Sequence, residues 1–584
     1  MQNAWCRRKL RSMTLTASLV AAMGYIALQL DDVIIGQTIN PQAVGAVGLV
    51  APFVTFVMFV TTIVSDGVVS CILSEIGKLH KHRASIYFTN GAVMCVLAGI
   101  LCLIFGLCGK ELFIGSIRSN PEIYRYADTY FRFYLVSAFL QPIYSYYQQI
   151  VYIDGDEALF LSSYIVSIVS NIFFSVQLSH RFGIAGIALG TALSFLFGGI
   201  LIALHFILHR GGMELNFKTS VNKLRNILSN GITAAASLVF LAVFTVLLNR
   251  FFLAYFSEDR LPILAVAENA FEFTSVFAGI GVAASPFFAL YNGEDNIPRL
   301  QFVQRQTVKL ELLYSSVCTV LMLLLAPYIV RMFGLSDPAL MGPTVRAVRI
   351  ISLCLVPSAY FSLLFSYHTT VGSLPYAGYV ALLKSLAVPM TLVVVLSVIL
   401  GSDTGVWIGI SAAPFLTILF AALPIYVGSK RLNELFVMKN VPSENVFSYE
   451  ISVTPDNINI LQHNLDLLLS RFGICRRTRN NVTLIVEEIY MLVIEANPGK
   501  MLTGECTLSI GSEILLVLKD NGKLFDVTNC DTDVTSFRRY MLSCVLQTHP
   551  DKINITTLCC NRNAFRLPIE YDAPQSEAQK ITVE

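Results

Sequence analysis

Charge is what this sequence has least of. Of its 584 residues only 14% are charged and 55% are apolar, with a mean hydropathy of +0.64, whereas a soluble domain carries roughly 25% charged residues. An ordinary soluble chain is therefore excluded. The charge that remains almost cancels, 41 Lys and Arg against 39 Asp and Glu, so no bulk basic character points to nucleic acid. The thirteen cysteines include no C-x-x-C pair and no histidine at zinc-ligand spacing. A disulfide framework and a metal site are excluded on that pattern, leaving small apolar fillers and reduced thiols. No resident cofactor is expected.

What the sequence has in abundance is long apolar runs. A bilayer core about 30 Å thick needs about 20 apolar residues per helix, and that ruler predicts twelve spans, at 13–35, 44–73, 87–109, 130–151, 158–179, 183–208, 230–255, 262–290, 309–332, 347–369, 375–399 and 405–428. The basic then apolar N-terminus lacks a small-residue cleavage site, so it reads as the first span rather than a signal peptide. Lys and Arg of the short loops fall fifteen on one side and five on the other. The basic side is cytoplasmic by the positive-inside rule, which places both termini in the cytoplasm of a multi-pass cell-membrane protein.

The apolar part repeats. "GIAGIALGTALSFLFGGILIAL" from Gly183 and "GVWIGISAAPFLTILFAALPIYV" from Gly405 lie 222 residues apart, and the loops "SEIGKLHKHRA" at Gly77 and "LYNGEDNIPRL" at Gly293 lie 216 apart. A six-helix unit used twice predicts two lobes, 1–218 and 219–432, in parallel pseudo-repeat with a pathway between them. A linker at 433–446 then leads to a soluble α/β domain at 447–570 and a tail at 571–584.

"LDDVIIGQTINPQAVGAVGLVAPF", "SEIGKLHKHRA", "IDGDEALF", "FGIAGIALGTALS" and "NGEDN" together, in this order, resemble the multidrug and toxic compound extrusion family over about residues 11–430. The resemblance implies a secondary transporter, not an enzyme: cation-coupled efflux of small organic, drug-like compounds across the lipid bilayer, by alternating access of two six-helix lobes. Lipid-linked saccharide flippases share the architecture, so substrate class stays open. The resemblance also assigns cation coupling to Asp31, in a D-x-x-x-x-G pattern ending at Gly36, with Asn171 and Thr191 beside it. Where the family often carries an acid four residues after the Asn, this chain has Ser175, which favours a proton over sodium as the coupling ion.

Charge inside a bilayer is costly, on the order of 2.5–3.5 kcal/mol per group, so other ionisable residues need a reason. Glu268 and Glu272 share a helix face at i, i+4, and Arg250 on the preceding helix lies at nearly the depth of Glu268. Both an ion pair closing that hairpin and a second cation or substrate site fit. Lys384 matches a frequently basic family position, Asp66 has no assignment, and Asp154 and Asp156 read as turn residues around Gly155.

From about 447 the pattern alternates as strand "FSYEISV", helices 456–472 and 476–495, strands "CTLSI" and "EILLVLKD", helix 533–547, and strands "INITTLC" and "AFRLPI". With "LIVEEIYMLVIEANPGK" and "LVLKDNGKLFD" in place, this resembles the ATP-binding domain of anti-sigma-factor kinases in the GHKL group, an α/β sandwich. The resemblance makes Glu488 the general base and Asp520 with Gly522 the adenine box, followed by Phe525. Leu492 replaces the magnesium-binding Asn, however, and "NCDTDVTSFRRYM" contains no glycine, so no nest of backbone amides can cradle a triphosphate. A vestigial nucleotide pocket that has become a regulatory module for a cytoplasmic protein partner is the expectation. A membrane signalling receptor with this domain as its output is the competing class.

Overall fold

The computed structural model describes residues 4–39, 50–114, 121–208, 221–256, 260–332, 338–371, 374–429, 445–522, 552–557 and 560–571, with a few single positions in the joining segments. It separates into a helical unit, Leu10–Val441, and a second unit made of Met1–Lys9 and Pro442–Glu584.

The helical unit begins with α1 (Ala4–Thr38), α2 (Ala51–Gly77), α3 (Lys81–Ile114), α4 (Pro121–Ile153), α5 (Glu157–Phe182) and α6 (Ile184–Ile207). Its second half runs through α7 (Val221–Tyr255), α8 (Leu261–Glu272), a 3-10 turn Phe273–Phe277, α9 (Ala278–Gly293), α10 (Ile297–Met332), α11 (Pro338–Ser352), α12 (Leu355–Val371), α13 (Leu374–Leu382), a π-helical turn Leu383–Ala387, α14 (Val388–Leu400) and α15 (Thr404–Ser429). Among the described residues, ten helical stretches are long and apolar enough to cross a membrane, and eleven if α11 and α12, bent by 43° at their junction, count as one.

The remaining expected span, 130–151, lies in α4. That helix is long enough, but it is rich in tyrosine and glutamine rather than aliphatic residues. Its hydroxyls find backbone carbonyls inside the bundle: Tyr146 donates to the Phe88 carbonyl at 2.6 Å, Tyr144 to that of Ser163 at 3.4 Å and Tyr152 to that of Met13 at 3.3 Å. A tyrosine-rich helix is tolerated at membrane depth when its polar tips are satisfied by neighbouring helices.

The two halves repeat in backbone detail. Leu79 and Asp295, 216 residues apart, are the two non-glycine residues with positive φ among those described, at 66° and 50°. The same three turn bonds precede each: Leu79 N to Ile76 O and Asp295 N to Asn292 O, with matching bonds one residue to either side. The two turns also meet, since a Cβ on Gly293 would overlap the backbone of Gly77 and one on Gly77 would overlap the Ala289 carbonyl. The other proposed match needs correction. Gly183 corresponds to Gly401, not Gly405: each has positive φ (60° and 56°) and each caps a helix by donating to the carbonyl of Ser179 or Ser397 at 2.9 Å. The offset is thus 218 rather than 222, about one helical turn less, because two glycine-rich helices align almost as well when slipped by one turn.

Asp156 caps α5 by accepting from Leu159 N at 3.3 Å, and Gly155 supplies the positive φ of 91° that the turn needs. The turn reading of "DGD" is therefore right but incomplete. His205, 1% exposed, stands between the two carboxylates, its Nε2 3.2 Å from Asp154 and its Nδ1 3.3 Å from Asp156.

The second unit carries β1 (Val446–Ser452), α16 (Pro455–Arg471), α17 (Arg476–Ala496), β2 (Thr503–Ile510), β3 (Glu513–Asp520), β4 (Lys552–Thr557) and β5 (Cys560–Pro568), in a five-stranded antiparallel sheet of order β1-β2-β3-β5-β4. Thr454 starts α16 as N-cap, accepting from Asn457 N at 3.4 Å, with Pro455 at the first helical position, where its missing N–H costs nothing. Leu461, Leu465 and Leu469 of α16 and Ile485, Val486, Ile489 and Val493 of α17 follow helical spacing. They bury against Cys506, Leu508, Leu516, Leu518 and Phe565 of the sheet. The expected helix 533–547, the glycine-free stretch, Phe525 and most of the linker and tail lie outside the described residues.

Candidate functional site

Four helices of the first half converge on one carboxylate. Asp31 of α1 accepts from Thr191 Oγ1 of α6 at 2.9 Å and from the Tyr130 hydroxyl of α4 at 3.3 Å, both on Oδ2. Asn171 of α5 donates to Thr191 Oγ1 at 3.2 Å. The three residues singled out in the sequence are therefore one hydrogen-bonded chain, Asn171 to Thr191 to Asp31. Asn171 Oδ1 is buried without a hydrogen-bond partner among the described residues.

Ser175 does not belong to the chain. It is fully buried against α6, its Oγ donating to the Ile187 carbonyl at 3.4 Å where Gly190 leaves room for it. A longer acid would not fit there, so the site has one described carboxylate. Tyr130, 3% exposed and stacked on Tyr134 at 5.8 Å, is the member that sequence reading missed. Its signal was the unusual tyrosine content of α4.

The acidic pair of the second half behaves differently. Arg250 is exposed and forms no ion pair with Glu268 among the described residues, while Glu268 Oε1 is buried without a hydrogen-bond partner. The expected hairpin clamp is not made: matched depth on neighbouring helices does not fix the direction a side chain leaves the helix. Glu268 and Glu272 instead sit where α8 gives way to the 3-10 turn, next to α1. Tyr25 of α1 donates to the Asn269 carbonyl at 3.0 Å and packs edge-on to Phe273 at 5.6 Å. The pair thus lies at the seam between the two halves.

That seam is closed at one end and parted at the other. At the end bearing the basic loops, α2 and α7 touch backbone to backbone: a Cβ on Gly67 would overlap the Ile227 carbonyl, and one on Gly231 the Ile63 carbonyl. Ser70 reaches across to the Thr369 carbonyl at 3.2 Å, and Asn226 to the Tyr87 hydroxyl at 3.2 Å. Toward the opposite end the same two helices diverge around an apolar cleft of about 420 Å³, lined by Thr55, Phe56, Phe59, Val239, Val243 and Leu247 among others.

In the second unit, Asp520 is 2% exposed at the end of β3. Its Oδ1 accepts from Gly522 N at 3.0 Å and from Asn561 Nδ2 at 2.9 Å, and its Oδ2 is buried without a hydrogen-bond partner among the described residues. Burial lifts its carboxyl from 3.8 to about 6, against the pull of those two donors. Gly522 is required by space, since a Cβ there would stand 2.7 Å from Asn497 Nδ2 and 3.0 Å from Asp520 Oδ1. Glu488 and Leu492 are both 7% exposed on α17, and Asn497, which sequence reading passed over, ends that helix beside Gly522. Burial pushes the thiols of Cys506 and Cys560 up, so both are inert.

Residues 17–177 and 234–395 each match the MatE family, together more than half of the chain. The chain belongs to the MatE family. Members are secondary transporters, and this chain is accordingly a multi-pass membrane transporter rather than an enzyme. Among solved structures the helical unit is similar to a MOP-superfamily transporter from Pyrococcus furiosus, at 19% identity and TM-score 0.67, over 74% of this chain and 96% of that one. It is similar at 18% identity, TM-score 0.67 and the same coverage to an outward-facing multidrug resistance MATE transporter, and at 19% and 0.66 to a MATE in complex with MaD5, 74% and 99% covered. At these identities the likeness is one of fold. No curated protein matches the chain.

Proposed function

We propose that this MatE-family chain is a proton-driven efflux antiporter for small organic compounds, working by alternating access, and that Asp31 carries the coupling proton. The observation that carries the proposal is the chain Asn171, Thr191, Asp31, with Tyr130 completing it. A hydroxyl that donates to Asp31 in its charged form can turn to the adjacent Ile187 carbonyl, 3.3 Å away, when Asp31 takes up a proton. Single-carboxylate chemistry suits a proton better than a dehydrated metal cation, which asks for several oxygen ligands.

Alternating access is supported by the seam. The glycine contacts close the end bearing the basic loops and the cleft opens away from it, which supports reading the chain, with both termini inside by the positive-inside rule, as outward-facing. Purified protein in liposomes loaded with ethidium tests the reading. An imposed pH gradient should drive ethidium movement in the native protein and not in Asp31→Asn, whose fold is checked by its elution in detergent. Equal movement in both would remove Asp31 from the mechanism.

The second unit is proposed to be a degenerate GHKL-type module that regulates transport through a cytoplasmic protein partner. The orphan Oδ2 of Asp520 beside the Gly522 turn supports loose adenine recognition, while Leu492 offers nothing to magnesium. Recognition at the adenine end alone corresponds to millimolar affinity, about 4 kcal/mol. Calorimetry of the full chain with ATP and magnesium should show no micromolar binding and no phosphoryl transfer. Micromolar binding lost in Asp520→Ala would favour the signalling-receptor reading instead.

A further inference from the structure

We propose a second proton-carrying site inside the second half of the helical unit, formed by Glu311 of α10 facing Lys384 on the π-helical turn. It is separate from Asp31 and rests on the reading of the chain as a proton-driven transporter. Glu311 is 1% exposed, and neither of its carboxyl oxygens has a hydrogen-bond partner among the described residues. Lys384 donates from Nζ to Ser362 Oγ of α12 at 3.2 Å. The two opposite groups lie within electrostatic reach yet make no ion pair with each other among the described residues. Ser358 of α12, also 1% exposed, lies beside the Cys354 thiol.

A structural acid buried at membrane depth is normally held by donors or by a salt bridge, because a bare carboxylate there is costly. Glu311 has neither, although a lysine that could supply the bridge stands near and is engaged by a serine. The carboxyl is therefore set up to exist in two forms. In one it keeps its proton and Lys384 rests on Ser362; in the other it has released the proton to water and the Lys384 ammonium has moved from the serine to the carboxylate. The carboxyl O–H bond breaks as an O–H bond forms on the accepting water, and no other covalent bond changes.

The backbone is suited to that exchange. Lys384 lies on five residues of π-helix, Leu383–Ala387, a widened turn that concentrates at functional positions. Facing it, α11 and α12 bend by 43° around Leu353 and Cys354. Among the described residues, the titratable groups in reach of Lys384 are Glu311 and Cys354, and Lys384 is in reach of Glu311. A small rotation at either irregular point would bring the pair together. The inference needs no substrate contact, since the pair sits in the helical interior and its ligand is the proton.

The test is infrared difference spectroscopy of the full chain in lipid, acid against alkaline, reading the C=O stretch of protonated carboxyls. The native protein should show a band at the high frequency of a carboxyl free of hydrogen bonds. Glu311→Gln should abolish that band while Asp31→Asn leaves it. A band that survives Glu311→Gln unchanged overturns the proposal. Should Glu311→Gln fail to fold, Lys384→Met serves: loss of a facing cation should move the titration of the band by about one pH unit or more, and no movement overturns the pairing. Gradient-driven ethidium movement in Asp31→Asn is decided separately, so transport lost there with the Glu311 band present, or the reverse, tells which of the two readings fails.

Discussion

Thr191 Oγ1 lies 2.9 Å from Asp31 Oδ2, joining α6 to α1 across 160 residues of sequence. A hydroxyl this close is a donor to the carboxylate form, and such charge-assisted bonds are worth about 1.5–3 kcal/mol. Thr191→Val keeps the shape and removes the donor. Under the proposed role of Asp31 it should shift the pH dependence of ethidium movement and lower its rate at least tenfold, with Thr191→Ser close to native. A pH profile unchanged in Thr191→Val would make the contact merely structural.

Much of this site was legible because its parts are rare. An acid in an otherwise apolar helix stands out, and the family resemblance set Asn171 and Thr191 beside it at matching depths, so three helices could be tied together ahead of the structure. Tyr130 could not be added, since the tyrosine content of α4 marks the helix but not which of its tyrosines meets Asp31. Glu311 was missed for the opposite reason: it lies close to the basic start of α10, where a charged residue attracts no notice until its burial is seen. The Arg250 and Glu268 pairing failed because depth was read and direction was not. Strands β1 to β3 were visible as alternation bounded by turns, whereas the burial of Glu505 and Lys519, charged residues on the face away from α16 and α17, was not.

Lys519 and Glu505 sit opposite each other in the β2–β3 register, both 1% exposed, with Nζ 3.1 Å from Oε1. Removing one charge leaves the other buried without its ionic partner at this register position. Lys519→Met should destabilise the second unit by about 3–5 kcal/mol, while adding Glu505→Leu should restore much of it. Amide exchange of β2 and β3 in the full chain reads both. Additive losses would mean that the two charges do not depend on each other.

Asp520 predicts a pH response of that unit. Its folded carboxyl binds a proton more tightly than the unfolded one, about 6 against 3.8, so the cost of burying the charged form is present above pH 6. That cost, on the order of 2–3 kcal/mol, disappears as pH falls toward 4. Protection of β3 amides, corrected for the pH dependence of exchange itself, should therefore rise between pH 7 and pH 5. Asp520→Asn should flatten the rise. An unaltered slope in that variant would assign the response to another group.

Gly231 predicts which end of the seam must stay tight. Its Cα hydrogen packs on the backbone of Ile63, and a Cβ would overlap the Ile63 carbonyl, an atom that cannot move without carrying α2 with it. Gly67 makes the reciprocal contact with Ile227 one helical turn further along, so the two helices cross through paired glycines, the arrangement that lets membrane helices approach most closely. Gly231→Val should therefore wedge α2 from α7 at this end and leave the apolar cleft near Phe56 and Val243 little changed. Amide exchange of α2 around Ile63 and of α7 around Ile227 should increase, while that of α5 and α6, which lie away from the seam, should not. Under alternating access the wedge also removes the state closed on the basic side, so gradient-driven ethidium movement should fall at least tenfold with the protein still folded. Gly199 is the control, since nothing lies within 4 Å of a Cβ placed there, and Gly199→Val should move at the native rate. If Gly231→Val transports as well as Gly199→Val, closure at the glycine crossing is not part of the cycle.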